Sequence, residues 1–228
     1  MGKRGPKPRA KIIINWSANF AYAIGLLVAD GNLSLNLRHI NFVSKDIEQI
    51  INFQKCLKIN MRIGKTISGY DGNFCYRVQF GDVLFFKFLN SIGILPCKSK
   101  TISEIKIPTN YFYDYLRGYF DGDGSFYSYW DKRWKSSHMF YIEFVSGSKI
   151  HIEWLRKKLN SDLRIFGHIS NDKSKNVFQL RYAKKESMEI LKKMYYNNTV
   201  VCLSRKRQKI KKALILEKKQ QKQYLSRG

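Results

Sequence analysis

Asp30 and Asp123 are the residues of this chain best placed to do chemistry. Each follows two small residues four positions apart, Gly25 and Ala29 or Gly118 and Gly122, and each precedes a glycine, Gly31 or Gly124. On a helix, small residues at i and i+4 share a face and let a second backbone approach closely. Two helices packed through such faces would bring both carboxylates to neighbouring C-terminal ends. That end of a helix carries partial negative charge, so two acids there repel each other and require a counter-charge. Mg²⁺ meets the requirement, because it takes carboxylate oxygens, keeps several waters and bridges to phosphate. Two centres of this kind facing a duplex suit hydrolysis of one strand each. No side-chain general base is evident, so water activated by metal is the expected nucleophile.

Competing chemistries fail on spacing. Asp121-Gly122-Asp123-Gly124-Ser125 opens like an EF-hand loop, but its sixth position is Phe126 rather than glycine and its twelfth is Lys132 rather than glutamate. Gly64-Lys65-Thr66 mimics the end of a P-loop, yet Ile59 stands where the first glycine is needed. Cys56, Cys75, Cys97 and Cys202 form no CxxC pair and read as reduced, mostly buried thiols. His39, His138, His151 and His168 show no HExxH spacing and read as surface or sheet residues.

The elements that must position the two acids are duplicated. Ala23-Ile24-Gly25-Leu26-Leu27-Val28-Ala29-Asp30-Gly31 matches Leu116-Arg117-Gly118-Tyr119-Phe120-Asp121-Gly122-Asp123-Gly124 at an offset of 93 residues. Beyond it, Ile40-Asn41-Phe42-Val43-Ser44 matches Ile142-Glu143-Phe144-Val145-Ser146 at an offset of 102, as do Leu57 and Leu159, Arg62-Ile63 and Arg164-Ile165, and Val78 and Leu180. The second copy thus carries nine extra residues between motif and second strand, in the segment containing Trp130 to Ser137. Periodicity changes in the same order in both copies.

Ser17 caps a first apolar helix that Gly31 stops, and Thr109-Asn110 opens the corresponding helix that Gly124 closes. Period-2 alternation follows: Asn32, Ser34 and Asn36 alternate with Leu33, Leu35 and Leu37, while Arg77 and Gln79 alternate with Tyr76, Val78 and Phe80. Gln179 and Arg181 alternate in the same way with Leu180 and Tyr182. Helical stretches span Ile47–Leu57, Val83–Asn90, Ile150–Leu159 and Glu186–Tyr195; a strand near Arg62 and Arg164 is less defined. The order is α-β-β-α-β-β-α, twice. The fold class is therefore α+β, two pseudo-symmetric repeats packed through the motif helices, each with an antiparallel sheet that has helices on one face and polar residues on the other.

Charge supplies the partner. The chain has 42 lysines and arginines against 17 acids, +25 formally. Residues 1–11 hold five basic residues and no acid, and 205–228 hold ten basic and one acid, so the middle of the chain still carries +11. A globular region that stays this basic without its ends is built for a polyanion. With 44% hydrophobic residues a core can form, and no apolar run approaches the roughly 20 residues of a membrane span. Met1 to Lys11 lacks the apolar segment of a signal peptide, so a soluble, intracellular protein with no membrane partner is expected. Residues 1–14 form a basic arm, 15–107 and 108–204 the two repeats, and 205–228 a basic C-terminal helix or tail. Lys3 to Pro8 resembles a minor-groove-binding arm or a solubilising terminus, and Lys209 to Tyr224 can lie along a DNA backbone or fray.

Both motifs resemble the LAGLIDADG motif, and two copies in one chain resemble the monomeric LAGLIDADG homing endonucleases. The likeness covers residues 15 to 215; Tyr115 through Phe126, YLRGYFDGDGSF, is its most specific part. The resemblance implies ααββαββα-type halves, motif helices at the interface and saddle-shaped sheets straddling double-stranded DNA. It implies Mg²⁺-dependent cleavage of both strands across the minor groove with short 3′ overhangs, with Mn²⁺ or Ca²⁺ as substitutes for binding. Asp30 and Asp123 occupy its metal-binding position, and the carbonyls of Ala29 and Gly122 help hold the ions. The sixth position, often acidic in the family, is Val28 in the first copy. The family also implies a role near the catalytic pocket for Lys98, which follows the Gly93-Ile94-Leu95-Pro96 turn, and for its counterpart Lys206. Each either stabilises charge in the transition state and lowers a water's pKa or contacts a phosphate.

The open sheet faces offer the base-reading residues. Asn32, Ser34, Asn36, Arg38, Asn41, Arg77 and Gln79 stand in the first half. Ser125, Tyr127, Tyr129, Lys132, Arg133, Glu143, Gln179 and Arg181 stand in the second. Asparagine pairs bidentately with adenine, arginine with guanine, and glutamate accepts from cytosine, so unlike halves imply a long asymmetric target read by a monomer. An RNA maturase that binds its host intron, and a non-cleaving DNA-binding regulator of the same fold, are the alternatives; loss of either motif acid would favour them.

Overall fold

The computed structural model describes residues 10–67, 72–133 and 138–225. The first half runs α1 (Ala18–Asp30), β1 (Gly31–Leu33), β2 (His39–Ser44), α2 (Ile47–Leu57), β3 (Gly64–Ile67), β4 (Phe74–Gly81) and α3 (Val83–Ser91). The second repeats that order with α4 (Phe112–Asp123), β5 (Gly124–Trp130), β6 (His138–Ser146), α5 (Lys149–Leu163), β7 (His168–Asp172), β8 (Val177–Tyr182) and α6 (Lys184–Met194). A seventh helix, α7 (Ser204–Leu225), follows. Each half forms one four-stranded antiparallel sheet, ordered β1-β2-β4-β3 and β5-β6-β8-β7. Each opens on one motif helix; only a 3₁₀ turn, Thr109–Tyr111, precedes α4. That turn replaces the expected helix start at Thr109-Asn110, and no side chain caps α4. Ser17 does cap α1, its Oγ accepting from the Phe20 amide at 3.1 Å.

The two motif helices form the centre of the molecule. Every residue of α1 from Phe20 to Val28 is buried, as is nearly every residue of α4, because each has the other helix on one side and its own half's packing on the rest. Under the first sheet Phe42 stacks on Phe53 with ring centroids 4.5 Å apart, and under the second Phe144 packs against both Tyr119 and Phe120. The basic arm is shorter than 14 residues. Buried Asp82, which caps α3, also accepts from the amides of Lys11 and Ile12, and the Ile12 side chain enters the core. Lys3 to Pro8 lie outside the described residues. Among the described residues no helix is long and apolar enough to cross a membrane.

Register confirms most of the repeat and corrects part of it. Gly31 pairs with Phe42 and Gly124 with Phe144, which places the nine extra residues in the β5–β6 ribbon. Phe42 pairs with Val78 and Phe144 with Leu180, so the offset of 102 holds across the sheet centres. It does not hold for Arg62-Ile63. Helix α5 runs one turn longer than α2, and the left-handed residues that end them are Lys58 and Arg164. Arg164 therefore corresponds to Lys58, and the likeness of Arg164-Ile165 to Arg62-Ile63 is coincidental. The third strands begin later, at Gly64 and His168.

The alternation from Leu33 to Leu37 does not continue as strand. β1 ends at Leu33, and Asn36 organises a turn, its Oδ1 accepting from the amides of Arg38 and His39, each at 3.2 Å. Leu37 adopts a left-handed conformation, and Leu35 and Leu37 are exposed. Local side-chain bonding to the backbone wins over a period-2 pattern here. Two other expectations change: His151 is neither a surface nor a sheet residue but lies buried on helix α5, whereas His138 opens strand β6, and Cys97 is exposed, leaving only Cys56 and Cys75 fully buried.

Candidate metal centre and nucleic-acid interface

Close approach of α1 and α4 depends on their small residues. A Cβ added at Gly25 would lie 2.1 Å from the Tyr115 carbonyl oxygen, and one at Gly118 would lie 2.0 Å from that of Tyr22. One more at Gly122 would lie 2.3 Å from the Ala29 Cβ and 3.1 Å from Asp30 Oδ2. The Asp30 carboxylate thus rests over the backbone of Gly122 in the opposite half. Asp123 lines a cleft with Val28 and Ala29, again of the opposite half. Each acid is the last residue of its helix and each following glycine begins a strand, so both carboxylates stand where the helical pair meets the sheets.

Their electrostatics are unfavourable without a cation. Asp30 is half-buried; Asp123 reaches solvent but stands on the floor of a cleft with protein on most sides. Loss of hydration raises the Asp30 carboxyl well above the usual carboxylate range, and the charge of Asp123 raises it further; Lys206 and Lys98 offset part of this. Asp123 is raised by the same loss of hydration, with Lys98 and Lys206 again opposing. The donors are all hard oxygens. Among the described residues no cluster of three or more His, Cys, Asp or Glu forms. Two carboxylates and nearby backbone carbonyls are a partial ligand set of the kind Mg²⁺ completes with water and phosphate. The residues fit the ion.

Lys98 and Lys206 do not project toward solvent. They are 7% and 8% exposed, and their ammonium groups are bonded to the protein's own carbonyls. Lys206 Nζ donates to the carbonyls of Phe120 at 2.6 Å, Asp121 at 2.8 Å and Gly124 at 2.6 Å, with Gly122 further off at 3.4 Å. Lys98 Nζ donates to the Gly31 carbonyl at 2.6 Å. Each ammonium satisfies carbonyls at the end of a motif helix and holds positive charge beneath the acids. Burial lowers both lysine pKa values, that of Lys206 to about 8.

Two residues that pattern alone did not single out anchor this arrangement. Fully buried Asp121 accepts from the Tyr22 hydroxyl and the Leu203 amide, both at 2.7 Å, and ties α1 and the start of α7 to α4. Arg117 spans Asp114, the Met194 carbonyl and the Val201 carbonyl at 2.7–2.9 Å. Charged residues in an otherwise apolar helix were the available signal. The first residues of α7 also bind the first half: Arg205 pairs with Asp46 at 2.8 Å, and Glu48 accepts from the Ser204 amide at 3.1 Å. Val28, at the sixth motif position of the first copy, is buried core.

The open sheet faces bring most of the expected readers into rows. Asn32 pairs across the sheet with Asn41 and Asn41 with Gln79, while Arg77 lies between Val43 and Gly64. Asn32, Arg77 and Gln79 are exposed, and Asn41 Oδ1 is buried with no hydrogen-bond partner among the described residues. Ser34, Asn36 and Arg38 sit in the β1–β2 turn rather than on the sheet. In the second sheet Ser125, Glu143, Arg181 and His168 form one row, and Gln179 pairs with Ser170. Glu143 and Arg181 are not independent readers, because Arg181 donates twice to Glu143 Oε2, at 2.9 and 2.7 Å. Tyr127 and Tyr129 both stack on Tyr141, and Arg181 lies over Tyr127. Lys132 and Arg133 are exposed beyond the strand, with Arg133 held by Asp131; Lys135 lies outside the described residues.

No protein-family model and no curated protein sequence matches the chain. Solved structures do. The homing endonuclease I-WcaI bound to its DNA recognition sequence aligns with a TM-score of 0.58 and 16% identity over 85% of this chain and 88% of that one. I-DmoI in complex with DNA and Mn aligns at 0.51 and 15% identity over 81% and 99%. Full-length DUF199/WhiA from Thermatoga maritima aligns at 0.55 and 15% identity; 84% of this chain is covered but only 64% of that one. The shared feature is the fold, the two-repeat architecture of LAGLIDADG homing endonucleases.

Proposed function

We propose that a chain with this fold and this pair of acids is a site-specific DNA endonuclease. It uses Mg²⁺ to cut both strands of a long asymmetric duplex target across the minor groove, leaving short 3′ overhangs, and it acts as a monomer. One observation carries the reading: Asp30 and Asp123 stand at matched helix ends, Asp30 over the Gly122 backbone of the other half and Asp123 in a cleft it shares with Val28 and Ala29, with charge that the protein alone leaves poorly compensated. Loss of either motif acid would favour an RNA maturase or a non-cleaving DNA-binding regulator of the same fold, and both acids are present.

Asp30 and Asp123 would hold the metal, with the carbonyls of Ala29 and Gly122 beside them. A bound divalent ion supplies Lewis-acid stabilisation of phosphoryl oxygens and lowers the pKa of coordinated water. The chain's own residues do the positioning. Lys98 and Lys206 fix the helix ends on which the acids are mounted. The glycine contacts set the separation between the halves. Arg77, Gln79, Asn32 and Asn41 in one sheet, and Gln179, Ser125 and the Glu143–Arg181 pair in the other, read bases on the two sides of the cut. The test is Asp30→Asn and Asp123→Asn against the uninterrupted DNA that flanks the gene once the insertion is removed. Each variant should bind nearly as well as wild type yet fail to linearise a target plasmid in Mg²⁺. Wild-type cutting of both strands by either variant would remove the metal-site assignment.

A further inference from the structure

The pseudo-symmetry of the centre ends at α7. After Lys98 the chain makes two 3₁₀ turns, Lys98–Lys100 and Thr109–Tyr111, and reaches α4 without an α-helix between; the helix that contains Lys206, α7, runs for 22 residues. The inner face of α7 is fixed: Lys206, Ile210, Ala213 and Glu217 are buried, and Glu217 pairs with Lys184 at 2.5 Å. A second face carries Arg205, Gln208, Lys209 and Lys212 at helical spacing. These four line a cleft of about 530 Å³ whose other wall is Gly122, Gly124 and Ser125, the backbone that carries Asp123.

The cleft that Asp123 itself lines is different in kind. It is smaller, about 230 Å³, and is lined by Val28, Ile102, Tyr119 and His151, with Lys98 the single cation of its wall. The Lys98 ammonium is already bonded to Gly31. On the α7 side Lys209 and Lys212 are exposed, and no carboxylate among the described residues pairs with either. Arg205 is partly neutralised by Asp46.

We infer that Gln208, Lys209 and Lys212 form a phosphate track beside one cleavage centre only, so that one DNA strand gains backbone contacts its partner lacks. The inference rests on the endonuclease reading for its ligand. Cations on flexible, solvated stems along an open cleft suit successive phosphates of a polymer; a small anion would need convergent, buried donors.

The experiment measures affinity for a mixed-sequence duplex of about 40 base pairs, without divalent metal, across a series of KCl concentrations; backbone contacts do not require the target sequence. Lys209→Ala/Lys212→Ala should lower the slope of log K against log[KCl] by about 2, as expected for two lost phosphate contacts. Lys157→Ala/Lys158→Ala removes the same charge from exposed positions of α5 and should leave the slope within about 0.5 of wild type. An unchanged slope in the α7 variant, or an equal change in both variants, overturns the inference. Wild-type protein that does not bind duplex at all overturns the endonuclease reading, and this inference with it. Binding by wild type with no difference in the α7 variant overturns this inference alone.

Discussion

Gly25→Ala should force the two aspartates apart. The new Cβ would stand 2.1 Å from the Tyr115 carbonyl oxygen and 2.6 Å from the Tyr119 amide nitrogen, where ordinary contact needs about 3.5 Å. Both obstacles are α4 backbone and cannot rotate away, so the helices must separate by about 1 Å. Overfilling a packed site costs typically 1–3 kcal/mol, and two backbone clashes place this case near 3 kcal/mol. For a chain of this length that corresponds to a fall in Tm of about 6–12 °C. A displacement of about 1 Å at a reacting centre costs on the order of 10²-fold in rate, whereas duplex affinity, carried by the sheets, should change only a few-fold. Thermal melting and plasmid linearisation measure the two effects. Gly64→Ala is the internal control: its Cβ would meet only the Arg77 carbonyl, at 3.8 Å, and should be nearly neutral. A Gly25→Ala protein that melts and cuts like wild type would refute the argument that this contact sets the metal centre.

Metal-free stability should fall as pH rises from about 4 to about 7. Burial raises the carboxyls of Asp30, Asp121 and Asp123, to about 7, about 6 and about 6, so over this window the folded state holds protons the unfolded chain has released. His151, lowered by burial to about 4, and His138, also lowered by burial, pull in the opposite direction, two groups against three. Calorimetry in chelator, showing stability that climbs with pH across the window, would contradict this. Lys206→Met should destabilise more than Lys98→Met in equilibrium denaturation, because it strands the carbonyls of Phe120, Asp121 and Gly124 rather than Gly31 alone. Glu143→Gln should loosen Arg181 and steepen the salt dependence of duplex binding; an unchanged slope would mean that Arg181 does not reach phosphate. Arg77→Ala should relax selectivity in one half-site only, by about 1–3 kcal/mol, as read by cleavage-site selection from a randomised library.

Much of this was legible in the chain because the fold is written twice. The matched small residues before Asp30 and Asp123 announced a helix pair, and the offset of 102 between Ile40–Ser44 and Ile142–Ser146 announced matching strands. Period and repetition are local properties, so sequence determines them. Pattern misled where a local bond or a neighbouring element intervened. Asn36 turned an alternating run into a loop, and one added helical turn in α5 made Arg164 resemble Arg62 by chance. Tertiary structure alone decided what the charged groups do, because a charge acts according to what surrounds it rather than what adjoins it in sequence. Lys98 and Lys206 became buried caps of helix ends, Glu143 and Arg181 became each other's partners, and Asp121 became a bolt between three helices. Sequence marked Asp30 and Asp123 as a pair; only the close crossing of α1 and α4 set Asp30 over the Gly122 backbone and Asp123 in a cleft with Val28 and Ala29, where desolvation and repulsion between the acids create the demand for a cation.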